Sequence, residues 1–209
     1  MYNKCGKLDY GMGLFGKITT HDVVGWTSLI TTYVQMGKDE VAIQQLIQMR
    51  NSDVNPNEYT FAAIFKACTH LGNLTFAEQL HAHVTKSGFF NALSVGNSVM
   101  TMYSRCGQLK SASVLFCEMT RKDVVSWSTL IAGYSQAGYA KEAFEYLVLM
   151  GRAGPKPTYF AFASVLSASG RMALLAQGKQ VHAHILKAGL ETTHLAQSAL
   201  ITMLSKYRP

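Results

Sequence analysis

The sequence predicts an all-α protein, a solenoid of helix-turn-helix hairpins, and three observations predict it. Apolar residues recur at helical spacing, glycines fall where each helix should end, and the whole pattern repeats. The clearest unit is 124–158. Trp127, Leu130, Ile131 and Tyr134 stand at i, i+3, i+4 and i+7, which puts four apolar side chains on one helical face. Gly138 follows, and a glycine there can take the left-handed conformation that closes a helix. Ala143, Leu147 and Met150 form a second stripe, which Gly154, Pro155 and Pro157 terminate. A single hairpin of this length cannot bury both stripes, so it needs neighbours.

The sequence supplies them. Residues 23–57 align with 124–158 without a gap: Trp26 with Trp127, Tyr33 with Tyr134, Gly37 with Gly138 and Met49 with Met150, all 101 residues apart. The same spacing relates Met1-Tyr2 to Met102-Tyr103, Cys5-Gly6 to Cys106-Gly107, and Leu14-Phe15 to Leu115-Phe116. It also relates Gln79, His81, Ala82 and His83 to Gln180, His182, Ala183 and His184. Self-similarity at fixed spacing decides the fold before any single residue does.

In order, residues 1–22 read as the back part of a short unit, with Gly6 at its turn, and 23–57 as the first complete hairpin. Residues 58–92 form a hairpin of the same length, with Phe61, Ile64, Phe65 and Cys68 on the first stripe, Gly72 at the turn, and Ala77, His81 and Val84 on the second. A hairpin of 31 residues, 93–123, packs Val99, Met100 and Tyr103, turns at Gly107 and has Met119 near its end. The cycle resumes with 124–158 and 159–193 and breaks off in 194–209. The glycine expected at 173 is Ala173, with Gly170 nearby, so a reshaped turn is expected there. Units of this kind are held by nearest-neighbour interfaces.

Composition narrows the function. With 48% hydrophobic residues a continuous core is possible, and no apolar run approaches the roughly 20 residues of a membrane-spanning helix. Nineteen Lys and Arg against 12 Asp and Glu give a charge of +7, which favours an anionic partner. Cys5, Cys68, Cys106 and Cys117 form no CxxC, and packed thiols in a reducing compartment are expected. His81 and His83, like His182 and His184, point about 200° apart on a helix and cannot share one ion. No cofactor is expected. The first unit lacks its opening turns and no leader precedes it, so a piece of a longer repeat protein is expected, whose apolar ends favour self-association.

Hairpins of 35, 35 and 31 residues, VVxWxxLI openings at Val23 and Val124, the strings MYNKCG (Met1 to Gly6) and MYSRCG (Met102 to Gly107), and two QxHAH strings resemble pentatricopeptide repeat proteins of the PLS subclass of land plants. The resemblance covers essentially the whole chain. It implies a right-handed superhelical solenoid that binds single-stranded RNA in chloroplasts or mitochondria, with C-to-U editing-site recognition as the task. Units 23–57 and 124–158 then correspond to P repeats, 58–92 and 159–193 to L repeats, 93–123 to an S repeat, and 1–22 and 194–209 to partial S repeats. In such proteins two or three side chains per repeat read one base.

The family's readers stand at the fifth and last positions. Carried over, the pairs are Thr27 with Asn57, Ala62 with Ala92, Asn97 with Asp123, Ser128 with Thr158, and Ala163 with Thr193, and Ser198 holds the fifth position of the last partial unit. A carboxylate only accepts hydrogen bonds, so Asp123 suits a base with a ring N–H, whereas the Asn57 amide can donate to the ring nitrogen of A or C. The family code then gives A for Thr27 with Asn57, U for Asn97 with Asp123, and a purine for Ser128 with Thr158. The alanine-bearing pairs leave little to read with, and the resemblance implies that L repeats contact editing-factor proteins instead. At the second positions, Tyr59 and Phe160 offer faces for stacking, while Val24 and Val125 either pack against bases or only against the helix start. Asn57 and Asp123 also have a plain alternative as helix caps.

Deaminase chemistry needs an HxE…PCxxC arrangement. The chain has neither string, so it reads as a binding module and not an enzyme. Two alternatives stand beside it: the targeting part of an editing enzyme whose deaminase lies elsewhere, and a protein-binding scaffold of tetratricopeptide type, whose 34-residue period and WxxLG pattern this chain lacks.

Overall fold

The computed structural model describes residues 22–171 and 179–184, together with Ile201. The described residues form nine α-helices: α1 Val23–Gln35, α2 Asp39–Asn51, α3 Glu58–Leu71, α4 Leu74–Lys86, α5 Leu93–Arg105, α6 Leu109–Glu118, α7 Val124–Gln136, α8 Ala140–Ala153 and α9 Tyr159–Arg171. A 3-10 turn, Phe89–Asn91, precedes α5, and residues 179–184 are helical. No strand occurs among them. The chain divides into two compact units after Met102.

In the first unit, α1 buries Trp26, Leu29, Ile30 and Tyr33, the face expected from their spacing. Opposite it α2 buries Ala42, Leu46 and Met49, and α3 packs against both helices of that hairpin, closing over them with Phe61, Ile64, Phe65 and Cys68. The second stripe of 58–92 is rotated from the expected one: α4 buries Ala77, Leu80 and Val84, while His81 sits half-buried at the margin with its ring 5.6 Å from that of Phe90. His70, which the sequence reading passed over, holds buried Asp39 of α2 at 3.0 Å through Nδ1.

In the second unit, α7 buries Trp127, Leu130 and Ile131 against Ala143, Leu147 and Met150 of α8, and α9 packs on both. Here an aromatic cluster joins three helices. Phe116 of α6 meets Trp127 edge-on at 4.6 Å, and Tyr134 of α7 stacks on Tyr146 of α8 at 5.3 Å. The Tyr134 hydroxyl also bonds Ser113 of α6 at 2.7 Å, and burial pushes the Tyr146 phenol up from its ordinary pKa.

The turns follow the glycines. At Gly138, φ is 87°, Tyr139 N–H donates to Tyr134 C=O at 2.9 Å and Gly138 N–H to Ser135 C=O at 3.3 Å. That doubled closure requires a left-handed residue, which glycine adopts without a Cβ penalty. Gly37 closes α1 in the same way. Gly170 does not turn the chain: it is buried inside α9, which continues to Arg171. Burial of Val165, Leu166 and Ala168 around it outweighs the roughly 1 kcal/mol that a glycine costs in a helix. Ala173 lies outside the described residues.

Cys68 is buried as expected, and burial pushes the half-buried Cys106 thiol up from its ordinary pKa. Cys117 departs from expectation. It is exposed, because the buried stripe of α6 runs through Leu109, Ala112 and Phe116 and leaves position 117 outside it. Cys5 lies outside the described residues.

Gly133 of α7 marks a close approach of another kind, since a Cβ there would stand 3.0 Å from both Cβ and Oγ of Ser104. Gly133→Val is therefore expected to force the helices apart and to cost about 1–3 kcal/mol, read as a lowered melting temperature. An unchanged melt would mean that the contact relaxes freely.

Candidate functional site

Each hairpin delivers its candidate residues by the same device. The last residue of one unit is the N-cap of the next helix, and the second and fifth positions follow on that helix's first turn and a half. Asp22, Asn57 and Asp123 all have extended backbone, and their side-chain oxygens accept from the backbone N–H three residues on, at 2.8, 2.9 and 2.8 Å. Asn57 and Asp123 are thus true caps, which fits a preference of such residues for unpaired helix-start donors. Capping does not use up the side chain, so it leaves the reading role open.

Within the first unit, the structure brings Thr27 and Asn57 together through a third residue. Thr60, the third residue of α3, completes a capping box with Asn57 and lies 2.6 Å from Thr27 Oγ1 through its own hydroxyl. Asn57 and Thr27 are both half-buried. Val24 and Tyr59, at the second positions, are 67% and 63% exposed. Ala62, Ala92 and Asn97 are half-buried, Ala92 linking the 3-10 turn to α5. The Asn97 carbonyl accepts from Thr101 Oγ1 at 2.7 Å.

The second unit repeats part of this. Asp123 caps α7 in a box with Ser126, whose hydroxyl is fully buried. Lys122 beside it donates to the Met119 carbonyl at 2.6 Å with its ammonium 5.2 Å from the Phe116 ring. Thr158 Oγ1 accepts from Ala161 N–H at 3.3 Å. The Ser128 hydroxyl is shut off from solvent and has no hydrogen-bond partner, so it must change rotamer to meet a ligand. Val125 and Phe160 are 55% and 51% exposed, and Ala163 is half-buried. Thr193 and Ser198 lie outside the described residues.

Four large apolar side chains at one repeat position, Val24, Tyr59, Val125 and Phe160, are therefore all exposed. Asp22 caps α1 as Asn57 and Asp123 cap their helices, at a position the sequence analysis did not single out. The signal was present, since Asp-Val-Val occurs at both 22–24 and 123–125. Among the described residues no group of three or more His, Cys, Asp or Glu is placed to hold a metal ion, and no helix is long and apolar enough to cross a membrane.

A family model described as PPR repeat family matches residues 21–70, and one described as PPR repeat matches 97–124 and 125–155. A pentatricopeptide repeat-containing protein of Arabidopsis thaliana is 50% identical over 99% of this chain and 29% of its own length. Two others from that plant, one mitochondrial and one chloroplastic, are 36% and 32% identical over 98% and 99% of this chain. The chain spans 33% and 24% of their lengths. Among solved structures, the pentatricopeptide repeat protein PPR10 from maize aligns with a TM-score of 0.75 at 20% identity, over 98% of this chain and 30% of that one. PPR10 in complex with an 18-nt psaJ RNA element aligns with a TM-score of 0.79, again at 20% identity, over 97% of this chain and 30% of that one.

Proposed function

The chain belongs to the pentatricopeptide repeat family, and from that premise we propose that it is a non-catalytic module that binds single-stranded RNA in a chloroplast or mitochondrion, one base per P-type or S-type hairpin, in recognition of C-to-U editing sites. The observation that carries the reading is the recurrence, at the starts of α1, α3 and α7, of a capping polar residue, an exposed apolar residue two positions on, and a fifth residue on the same helix. A cap supplies the hydrogen-bonding edge and the exposed residue a face against which a base can pack. The net charge of +7 adds attraction to phosphate.

Thr27 with Asn57 reads A, Asn97 with Asp123 reads U, and Ser128 with Thr158 reads a purine. Ala62 with Ala92 has no side-chain donor or acceptor and reads nothing, and Ala163 with Thr193 is assigned no base. Selection from a randomised RNA pool is expected to enrich A and U separated by one free position, with a purine directly after U. A pool retained without enrichment would overturn the assignment. Affinity is also expected to fall with salt, with a log-log slope of about −3 for roughly four neutralised phosphates on a single strand. A flat salt response would favour a protein-binding scaffold.

A further inference from the structure

One more residue bears on the RNA-reading proposal, on which this inference rests, although no base would touch it. Thr60 is 0% exposed, yet its hydroxyl joins the two readers of one nucleotide. Its single proton can be placed by elimination. Asn57 Oδ1 takes Thr60 N–H at 2.9 Å, which fixes that atom as oxygen and forbids the flipped amide. The 3.0 Å contact of Thr60 Oγ1 with the same oxygen is then a bond in which Thr60 donates. Asn57 N–H donates to Thr60 Oγ1 at 3.3 Å. The remaining 2.6 Å contact, between the two hydroxyls, therefore needs Thr27 as its donor.

Thr27 has thus spent its only proton inside the protein and faces any ligand as an acceptor. The Asn57 carbonyl oxygen already accepts two bonds, so its free group is the NH2 donor. We infer that Thr60 is a positioning residue that fixes the hydrogen-bonding polarity of the Thr27–Asn57 pair, an acceptor from one and a donor from the other. Adenine offers the complement, an exocyclic amino group beside an unprotonated ring nitrogen. The hairpin 101 residues on lacks this device: Ala161 stands where Thr60 does. There the Ser128 hydroxyl, at the position of Thr27, has no partner at all.

The test compares two oligonucleotides that differ only in having adenosine or inosine at the nucleotide assigned to this pair. Inosine carries a carbonyl in place of the amino group. The wild-type chain is expected to prefer adenosine. Thr60→Val keeps the shape but frees the Thr27 proton to meet the carbonyl, and is expected to lower that preference about tenfold; Thr60→Ser should retain it to within about twofold. Circular dichroism melts would identify a variant that fails to fold, and the adenosine-to-inosine ratio, unlike affinity itself, is not moved by loss of folded protein. An unchanged ratio in Thr60→Val, or equal loss in Thr60→Ser, overturns the positioning role while leaving RNA reading intact. A wild-type chain that prefers neither oligonucleotide overturns the reading beneath it.

Discussion

Trp127→Ala is expected to destabilise the chain by about 3–5 kcal/mol, a large part of the 5–15 kcal/mol that holds a typical domain together. The side chain is only 7% exposed and meets the edge of Phe116 at 4.6 Å. Phe116 in turn lies 6.1 Å from Tyr146, which stacks on Tyr134. Removing the indole leaves a void bounded by α6, α7 and α8, and a ring cluster of this kind cannot collapse into it without giving up its edge contacts. Stability in stacked hairpins is a sum of nearest-neighbour interfaces, so the loss falls on one joint rather than being spread over the chain. Thermal and urea melts followed by circular dichroism should show a lower midpoint, or an early transition that separates from the rest. A shift under about 2 °C would mean that the aromatic cluster contributes little.

That cluster also shows where the sequence stops being informative. Helix spans, turns and caps were legible, because each depends on residues within a few positions: a stripe such as Trp127, Leu130 and Ile131, a left-handed glycine such as Gly138, a cap such as Asn57. Partners that lie 20 or more residues apart were not. Nothing in the spacing links Ser113 to Tyr134, Asp39 to His70, or Thr27 to Thr60, yet these are the bonds that join neighbouring helices. Local signals also misled where packing outweighed them. His81 took a stripe position that Leu80 fills. For the site, the fifth and last positions could be numbered from the repeat alone. The state of each candidate could not, because Thr27 is tied to Thr60 and Ser128 is not for a reason that lies on the next helix.

Asn57→Asp should reverse the base preference of the first pair from A to G. The substitution replaces an NH2 donor by a second acceptor of the same shape. Facing adenine, the carboxylate would oppose the lone pair of the ring nitrogen; facing guanine, it would accept the ring N–H. Thr27, as the acceptor set by Thr60, meets the adenine amino group at C6; guanine carries there the same carbonyl as inosine, so it must re-seat to offer its amino group at C2, on the other side of the ring N–H. Losing one hydrogen bond and gaining another, charge-assisted one multiply, so the A-to-G ratio is expected to move by about a hundredfold or more, near 3 kcal/mol. The fold should not suffer. Aspartate is as good an N-cap as asparagine, and its charge is favoured at a helix start, as Asp123 in its own capping box illustrates. Titration of the variant against oligonucleotides with each base at that nucleotide would measure the change. If A remained preferred while the melting temperature held, Asn57 would be a cap and not a reader, and the pairing of fifth and last positions would fail where Thr60 joins the two side chains.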